Sequence, residues 1–331
     1  MSRQLTVLLV LFSLWIFVAH GLAEEMCIYI NERGVERKVR SVKQIPLNLR
    51  TRARCFGSEP RELADPQEMN LSGAERKERM LTSVGPVNLR WSRSVEKVLG
   101  RSPARAMADA GRMVSKTLKQ GGFPSEMSTL SLEWDVVFLD ETLPVEQVPQ
   151  HLISNCHPAW MTPPANIYVV AQRVVAGCQG SGSAQKRDVE GEMAAVLAHE
   201  MGHVLESSLL SSHSFRSERW RAEGFATFFE RLAARYSSLI RADSLEKKHS
   251  MLAQRSFQEA PEKFLFRGRA EDYARASMYL QAVVNDRNIR GLIDVYQRMD
   301  AEQIGLHAAI EKETGWSLKL LEEKAQKAAG L

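Results

Sequence analysis

The chain has 331 residues, of which 44% are hydrophobic and 25% are charged. This composition is typical of a soluble globular protein and excludes intrinsic disorder and a collagen repeat. The 44 basic and 40 acidic residues give a formal net charge of +4 and are mixed along the chain, so the sequence shows no electrostatic footprint for nucleic acid. The length fits one large domain or two smaller ones.

The first 23 residues have the pattern of a secretory signal peptide. Arg3 precedes an apolar run from Leu5 to Ala19, and a small-residue site ends at Ala23. The alternative is an uncleaved membrane anchor, but the run is shorter than the roughly 20 residues that a spanning helix needs. We therefore expect cleavage after Ala23, no stable membrane insertion afterwards, and a mature protein that is secreted or periplasmic.

Four cysteines follow this segment, and a secreted location makes them candidates for disulfide bonds. Cys27 and Cys55 bracket one segment, and Cys156 and Cys178 bracket another. Of the three connectivities that four cysteines allow, we expect the pairing of sequential neighbours. The alternative, a zinc site built from cysteines, is disfavoured because no CxxC spacing occurs.

A small module comes first in the predicted organisation. Residues 27–39 alternate apolar and polar side chains around Gly34, which predicts a hairpin. We assign residues 24–60 to a disulfide-closed module and residues 61–90 to a linker or arm. The reason is that the stretch 57–86 is polar and its apolar residues show no sustained helical or strand periodicity. A prosegment is the alternative interpretation of this stretch.

Regular structure is expected in residues 91–331, which we assign to one main domain. Ser102 and Pro103 predict the start of a helix, because serine is a common N-cap and proline is favoured at the first helical position. The helical spacing of apolar residues continues to about Gln120.

The remaining elements follow an order of strands and then helices. Strands are predicted at residues 132–139 and 166–175. After Glu190 the pattern is helical, and the predicted helices cover residues 190–210, 217–236, 271–284, 289–299, 301–314 and 317–328. Strands first and helices afterwards imply an α+β domain.

The motif that carries chemistry lies in the helix predicted to begin near Glu190. His199 and His203 are four residues apart, so both imidazoles can reach one ion from the same face of a helix. Glu200 lies on a flank of that face, where a carboxylate can accept a proton from water on the metal. A His-Glu-x-x-His pattern arises by chance in on the order of one chain in a hundred of this size, so the alternative is an ordinary helix.

A third residue stands where a metal site needs one. A catalytic zinc takes three protein ligands and keeps its fourth position open for water. Glu223 follows His203 by 20 residues and lies in the next predicted helix, beyond a serine-rich turn. Two antiparallel helices would direct its carboxylate back towards the ion. His199, His203 and Glu223 therefore form a complete ligand set for one zinc ion.

HEMGH followed by WRAEGFA at this spacing resembles the gluzincin branch of zinc metallopeptidases, which includes thermolysin-like proteases and aminopeptidases with a Glu-Gly-x-Ala ligand helix. The resemblance covers residues 91–331 and is close at the motifs. It implies a zincin-like fold with a small N-terminal sheet, an edge strand over the active-site helix and a helical C-terminal half. It also implies that His199, His203 and Glu223 bind zinc and that Glu200 is the general base.

The sequence departs from the wider family patterns around these ligands. The metzincin pattern fails because Glu206 and Leu209 stand where it needs glycine and histidine. Thermolysin-like enzymes have an aspartate four residues after the glutamate ligand, which orients a ligand histidine, and this chain has Thr227 there. Glu230 and Glu206 are the candidates for that role, and an ordinary solvated carboxylate is the alternative for each.

The group that would stabilise the oxyanion is indicated only by the resemblance. Residues 272–277 resemble the helix that follows the site in this family, where a tyrosine or histidine serves as electrophile. Tyr273 is the first candidate, and Tyr279 and His307 follow it. A tyrosine packed in the helical core is the alternative for Tyr273.

These residues predict a secreted zinc-dependent metallopeptidase that acts on a peptide or protein substrate. Residues 167–175 precede the active-site helix, as the edge strand does in this fold class, so we expect a peptide to add to that strand. An internal strand without substrate contact is the alternative. Two competing hypotheses are a catalytically silent binding or scaffold protein of the cell envelope and an adaptor whose function lies in the module at 24–60.

Overall fold

The computed structural model describes three short N-terminal strands and most of the chain from residue 65 onward. The described residues are 26–30, 36–39, 54–56, 65–71, 74–128, 133–140, 148, 157–177, 188–211, 218–261 and 264–331. The predicted signal peptide, residues 1–23, lies outside them, as do Cys156 and Cys178. Contacts divide the chain into two compact units.

The first unit, residues 1–63 and 145–156, contains a three-stranded antiparallel sheet. Its strands are β1 (Met26–Ile30), β2 (Glu36–Val39) and β3 (Arg54–Phe56), in the order β2-β1-β3. The pairing of β1 with β2 agrees with the predicted hairpin. Cys27 lies directly opposite Cys55 in the pair of β1 and β3. This register is compatible with the expected Cys27–Cys55 disulfide, which stays a prediction.

The second unit, residues 64–144 and 157–331, contains a five-stranded mixed sheet in the order β4-β5-β6-β8-β7. The central strands β5, β6 and β8 run parallel, whereas β4 and β7 pair antiparallel at the two edges. β6 is almost entirely buried, as expected for a parallel strand covered on both faces. The five strands are β4 (Glu75–Thr82), β5 (Gly85–Ser92), β6 (Trp134–Leu139), β7 (Ala159–Thr162) and β8 (Asn166–Val170).

Ten helices are present in the described residues. They are α1 (Arg93–Leu99), α2 (Pro103–Gln120), α3 (Ser125–Ser128), α4 (Ala171–Ala176), α5 (Val189–Leu209), α6 (Arg219–Arg235), α7 (Ala242–Glu259), α8 (Ala270–Glu302), α9 (Leu306–Thr314) and α10 (Leu318–Ala328). Most of the sheet precedes most of the helices, and the predicted α+β class is confirmed. Within the described stretches, none of these helices has the length and apolar character needed to cross a membrane.

The start of α2 shows how local sequence determines an element. The Ser102 hydroxyl accepts a hydrogen bond from the Ala104 N–H at 3.2 Å, and Pro103 is the first helical residue. This N-cap satisfies one of the N–H groups that a helix start leaves without a partner. The predicted helix at this position is therefore confirmed at both ends.

The predicted linker at 61–90 is wrong for residues 75–90, which belong to the hairpin of β4 and β5. The sequence of β4 is polar because β4 is an edge strand with mostly exposed side chains. Charged residues on such a strand discourage pairing with another chain, and they also hide its periodicity. The second unit consequently begins near residue 64 instead of residue 91.

The predicted edge strand is also wrong. The strand expected at 166–175 ends at Val170 and continues as the short helix α4. β8 lies between β6 and β7, so it is an internal strand, and β7 forms the edge. Local periodicity identifies a strand but carries no information about its neighbours in the sheet.

Two helical boundaries also differ from the prediction. The helices expected at 271–284 and 289–299 belong to one helix, α8, which is interrupted by the non-helical backbone of Asn288. The helix expected at 301–314 begins later, at Leu306. α7 was not predicted, because its buried face contains the polar residues His249 and Ser256 beside few apolar ones.

The hydrophobic core of the second unit surrounds α5. Buried residues of β5, β6, β8, α2, α5, α6 and α8 belong to one cluster, which includes Leu89, Val136 and Val169 from the sheet. α5 contacts the edge strand β7 as well as α2, α6 and α8. The helix that carries His199 and His203 is therefore held on several sides.

A buried ion pair joins α5 to α6 and α8. Arg221 Nη1 donates to Glu206 Oε1 at 3.0 Å, and the Tyr296 hydroxyl donates to the same oxygen at 2.9 Å. The side chains of Glu206 and Arg221 are fully buried. Removal of one partner from such a pair leaves an uncompensated buried charge.

We predict that Glu206→Ala lowers the free energy of unfolding by about 3–5 kcal/mol, because Arg221 would remain charged and buried. Urea unfolding of the two proteins measures this difference. Asp294→Ala is the matched control, since it removes an exposed ion pair with Arg290 and should cost at most about 1 kcal/mol. Similar losses in the two variants would contradict the importance of the buried pair.

Candidate metal centre

α5 presents two histidines on one face. The helix begins after Asp188, whose carboxylate accepts a hydrogen bond from the Gly191 N–H at 3.2 Å. His199 and His203 follow on successive turns, and their ring centroids lie 5.0 Å apart with an interplanar angle of 83°. Both side chains are mostly buried.

Glu223, on α6, completes the cluster. Its Oε2 lies 3.5 Å from His199 Nε2 and 3.7 Å from His203 Nε2. Ligand atoms arranged tetrahedrally at about 2.1 Å from a zinc ion are roughly 3.4 Å apart, so this spacing suits one ion. In the described part of the chain, these three residues are the one group of His, Cys, Asp or Glu side chains placed to hold a metal.

Glycines in the two motifs allow three helices to approach one another. A Cβ on Gly202 of α5 would lie 3.0 Å from Ala226 Cα of α6. A Cβ on Gly224 of α6 would lie 2.8 Å from Ala276 Cβ of α8. Both distances are too short for an unstrained side chain. The close approach brings Glu223 within reach of the two histidines.

Glu230 is the carboxylate beside Nδ1 of His199, the ring nitrogen that does not face Glu223. Its Oε2 lies 3.3 Å from His199 Nδ1, and its Oε1 lies 3.7 Å from His249 Nε2 on α7. A carboxylate at Nδ1 holds the proton there and leaves Nε2 free to bind a metal. Glu206, the other candidate for this role, is occupied by Arg221 and Tyr296 instead.

The charges in this cluster favour a cation between the carboxylates. Burial opposes ionisation of Glu223 and Glu230, but the neighbouring histidines together outweigh burial and lower the pKa of both carboxyls. Burial also opposes charge on His199, yet the same two carboxylates raise the pKa of its imidazole well above the usual value. The protein thus stabilises positive charge at a position where a metal ion would replace a proton.

Glu200 provides a buried carboxylate oxygen that lacks a partner. The residue is 5% exposed, and its Oε2 accepts no hydrogen bond from any described residue. Burial raises the pKa of this carboxyl, although His203 and His199 oppose the shift. A buried polar atom normally has a partner, and water at a metal would supply one here. The orphaned oxygen and the two-histidine, one-glutamate set therefore fit a catalytic zinc ion.

Tyr273 and Arg219 lie next to Glu223. Arg219 Nε is 3.6 Å from Glu223 Oε1, and Arg219 Nη2 is 3.5 Å from the Tyr273 hydroxyl. Tyr273 also stacks on Phe266. Burial and the negative charge of Glu223 raise the pKa of Tyr273, so its hydroxyl stays protonated and able to donate.

The other two candidates for the electrophile have different surroundings. The Tyr279 hydroxyl donates to Glu322 at 2.6 Å, in a buried group with Arg275. His307 packs against Trp220 with ring centroids 4.7 Å apart. The contacts of these two residues are with the helical core, whereas Tyr273 is the candidate near the cluster.

Two histidines near the cluster were missed from the sequence. His157 lies two residues before β7, and burial lowers its pKa while the nearby charge of Glu223 opposes that shift. His249 lies in α7, a helix that was not predicted. Neither residue belongs to a recognisable motif, and neither β7 nor α7 was predicted from the sequence.

No protein-family model and no curated protein matches this chain. Among solved structures, it is similar to an M1 zinc metallopeptidase from Deinococcus radiodurans, with 15% identity, a TM-score of 0.42, and coverage of 77% of this chain and 51% of that one. A glutamate-to-alanine mutant of an M1 zinc metallopeptidase from the same organism has 14% identity, a TM-score of 0.43 and coverages of 93% and 62%. The chain therefore spans 51% to 62% of the length of these zinc metallopeptidases. Similarity at this level establishes no family membership.

We predict that Gly202→Ala lowers the free energy of unfolding by about 1–3 kcal/mol and weakens zinc binding, because the added methyl group forces α5 away from α6. Urea unfolding and competition with a chromophoric chelator measure the two effects.

Gly111→Ala on α2 is the matched control, since its Cβ would lie 3.1 Å from Thr82 Cβ, outside the ligand cluster. This control should leave zinc affinity unchanged. If Gly202→Ala bound zinc as tightly as the unmodified protein, the helix contact would not be what positions Glu223.

Proposed function

We propose that this protein is a zinc-dependent peptidase that hydrolyses peptide bonds. The observation that carries the proposal is the convergence of His199, His203 and Glu223 beside the unpartnered buried oxygen of Glu200. A zinc ion bound by the three ligands would supply Lewis-acid chemistry and lower the pKa of a water molecule from 15.7 towards about 7.

Glu200 is the proposed general base. It accepts a proton from the attacking water and delivers that proton to the nitrogen of the leaving amine. Its raised pKa supports this role, because a base is most effective when its pKa lies close to the working pH. The low exposure of its side chain also keeps bulk water from competing for the proton.

Tyr273 is the proposed donor to the oxyanion that develops as water adds to the scissile carbonyl. Its protonated hydroxyl lies on the side of Glu223 that faces Arg219. A donor placed in advance stabilises this charge without reorganisation of solvent. Arg219 adds a positive charge beside the same position.

We propose that the substrate peptide adds to β7. The sequence had suggested residues 167–175 for this role. β7 pairs with β8 on one side and forms an edge of the described sheet. It contacts α5, the helix that carries two of the ligands. Because an edge strand has unpaired main-chain groups, an extended peptide can add to it and pass beside the cluster.

We also infer that the protein is secreted or periplasmic and contains disulfide bonds. The support is the signal-peptide pattern of residues 1–23 together with the register that places Cys27 opposite Cys55. Oxidising compartments are where such bonds persist.

We predict that Glu200→Gln keeps zinc bound but lowers kcat by at least about 100-fold, because the amide cannot accept the proton of water. Metal analysis of the purified protein and mass spectrometry of a digested peptide library measure the two properties.

Glu192→Gln, on the same helix but outside the ligand cluster, is the matched control and should retain full activity. Normal turnover by Glu200→Gln would refute its role as base. A wild-type protein that binds zinc yet cleaves no peptide would support the catalytically silent scaffold instead.

We predict that Tyr273→Phe lowers kcat by about 10²–10³-fold with little change in KM, as expected when one oxyanion donor is removed. Steady-state kinetics on a peptide found in the library experiment would measure both constants. Tyr279→Phe removes a buried hydroxyl that donates to Glu322, so it should reduce stability and leave kcat unchanged. Equal kinetic losses in the two variants would exclude a specific role for Tyr273.

A further inference from the structure

His249 is a buried histidine whose ring lies beside Glu230, the carboxylate at Nδ1 of His199. The residue is 8% exposed, and neither ring nitrogen has a hydrogen-bond partner among the described residues. Its Nε2 lies at ion-pair distance, 3.7 Å, from Glu230 Oε1.

Glu230 lies between two imidazoles that come from different helices. Its Oε2 faces His199 of α5, and its Oε1 faces His249 of α7. With a single contact the carboxylate could rotate about its side-chain bonds, whereas a contact at each oxygen defines the plane of the group. His249 thus completes a chain that runs from α7 through α6 to the ligand His199.

An ordinary core position is the alternative explanation for His249. It shares the buried face of α7 with Ala253, Ser256 and Phe257. A buried imidazole without a partner is costly, however, and an aliphatic side chain would fill the same position without that cost. Nearby Glu246 is engaged by Arg231, which leaves Glu230 as the acidic side chain in contact with His249.

We propose that His249 is a positioning residue that holds Glu230 in the orientation required to orient His199 towards zinc. This proposal rests on the zinc site proposed above. Groups that support a metal ligand in this way typically change metal affinity by 10–100-fold when they are removed. The role is exerted through Glu230, so it depends on that carboxylate.

The test is a double-mutant cycle that measures zinc affinity by chelator competition. His249→Leu should weaken zinc binding by about 10–100-fold. His249→Gln should restore most of the affinity, because its side-chain amide can donate to Glu230 from a similar position. In a Glu230→Gln background, His249→Leu should cause little further loss, since the residue through which it acts has already been changed.

Phe257→Leu is the control for a loss of packing on the same helix. It should lower the unfolding midpoint, because it removes buried aromatic packing, while zinc affinity stays the same. The positioning role is overturned if His249→Leu binds zinc like the unmodified protein, or if it weakens binding equally in both backgrounds. Failure of the unmodified protein to bind zinc would instead overturn the proposed function, so the two failures are distinguishable.

Discussion

The contact between α5 and α6 is the constraint on which the rest of the site depends. Two of the proposed ligands belong to one helix and the third to the other, and the positions where the backbones meet are Gly202 and Ala226. A larger residue at either position would separate the helices by the size of a side-chain atom. Ligand atoms that must lie within a few ångströms of one ion cannot tolerate that separation. The same small residues that allow dense packing therefore also determine the geometry of the cluster.

Dense packing places several carboxylates out of water, and each has a different partner. Glu206 is neutralised by Arg221 and contributes to the connection of three helices. Glu223 and Glu230 are stabilised by histidines, which lower their pKa values. Glu200 has an oxygen without a partner, and its pKa is raised. Burial also raises the pKa of Glu206 and leaves its Oε2 without a partner, but its Oε1 is held by Arg221 and Tyr296. None of the described hydrogen bonds involves the Glu200 carboxylate, so Glu200 is the least compensated of the four and the best suited to exchange a proton.

The sequence predicted those features that depend on local spacing. The His-Glu-x-x-His helix and the position of Glu223 on the next helix follow from helical periodicity, as does the start of α2 at its serine cap. Features that depend on tertiary pairing could not be predicted. The charged edge strand β4 resembled a linker, and nothing in the sequence of β8 revealed that β7 would lie outside it. His249 could not be recognised as a site residue, because it lies on α7, whose buried face is half polar and gives no helical pattern of apolar residues.

Glu206 and Glu230 show why the orienting carboxylate was ambiguous before the fold was known. Glu206 lies three residues after His203 on the same helix, so its position in sequence made it a reasonable candidate. Side chains three residues apart on a helix share a face, but the Glu206 carboxylate is engaged by Arg221 and Tyr296. Glu230 is reached because α6 packs beside α5, which brings its carboxylate to Nδ1 of His199. Helix packing thus places Glu230, and not Glu206, beside His199, and it also brings Glu223 to the two histidines.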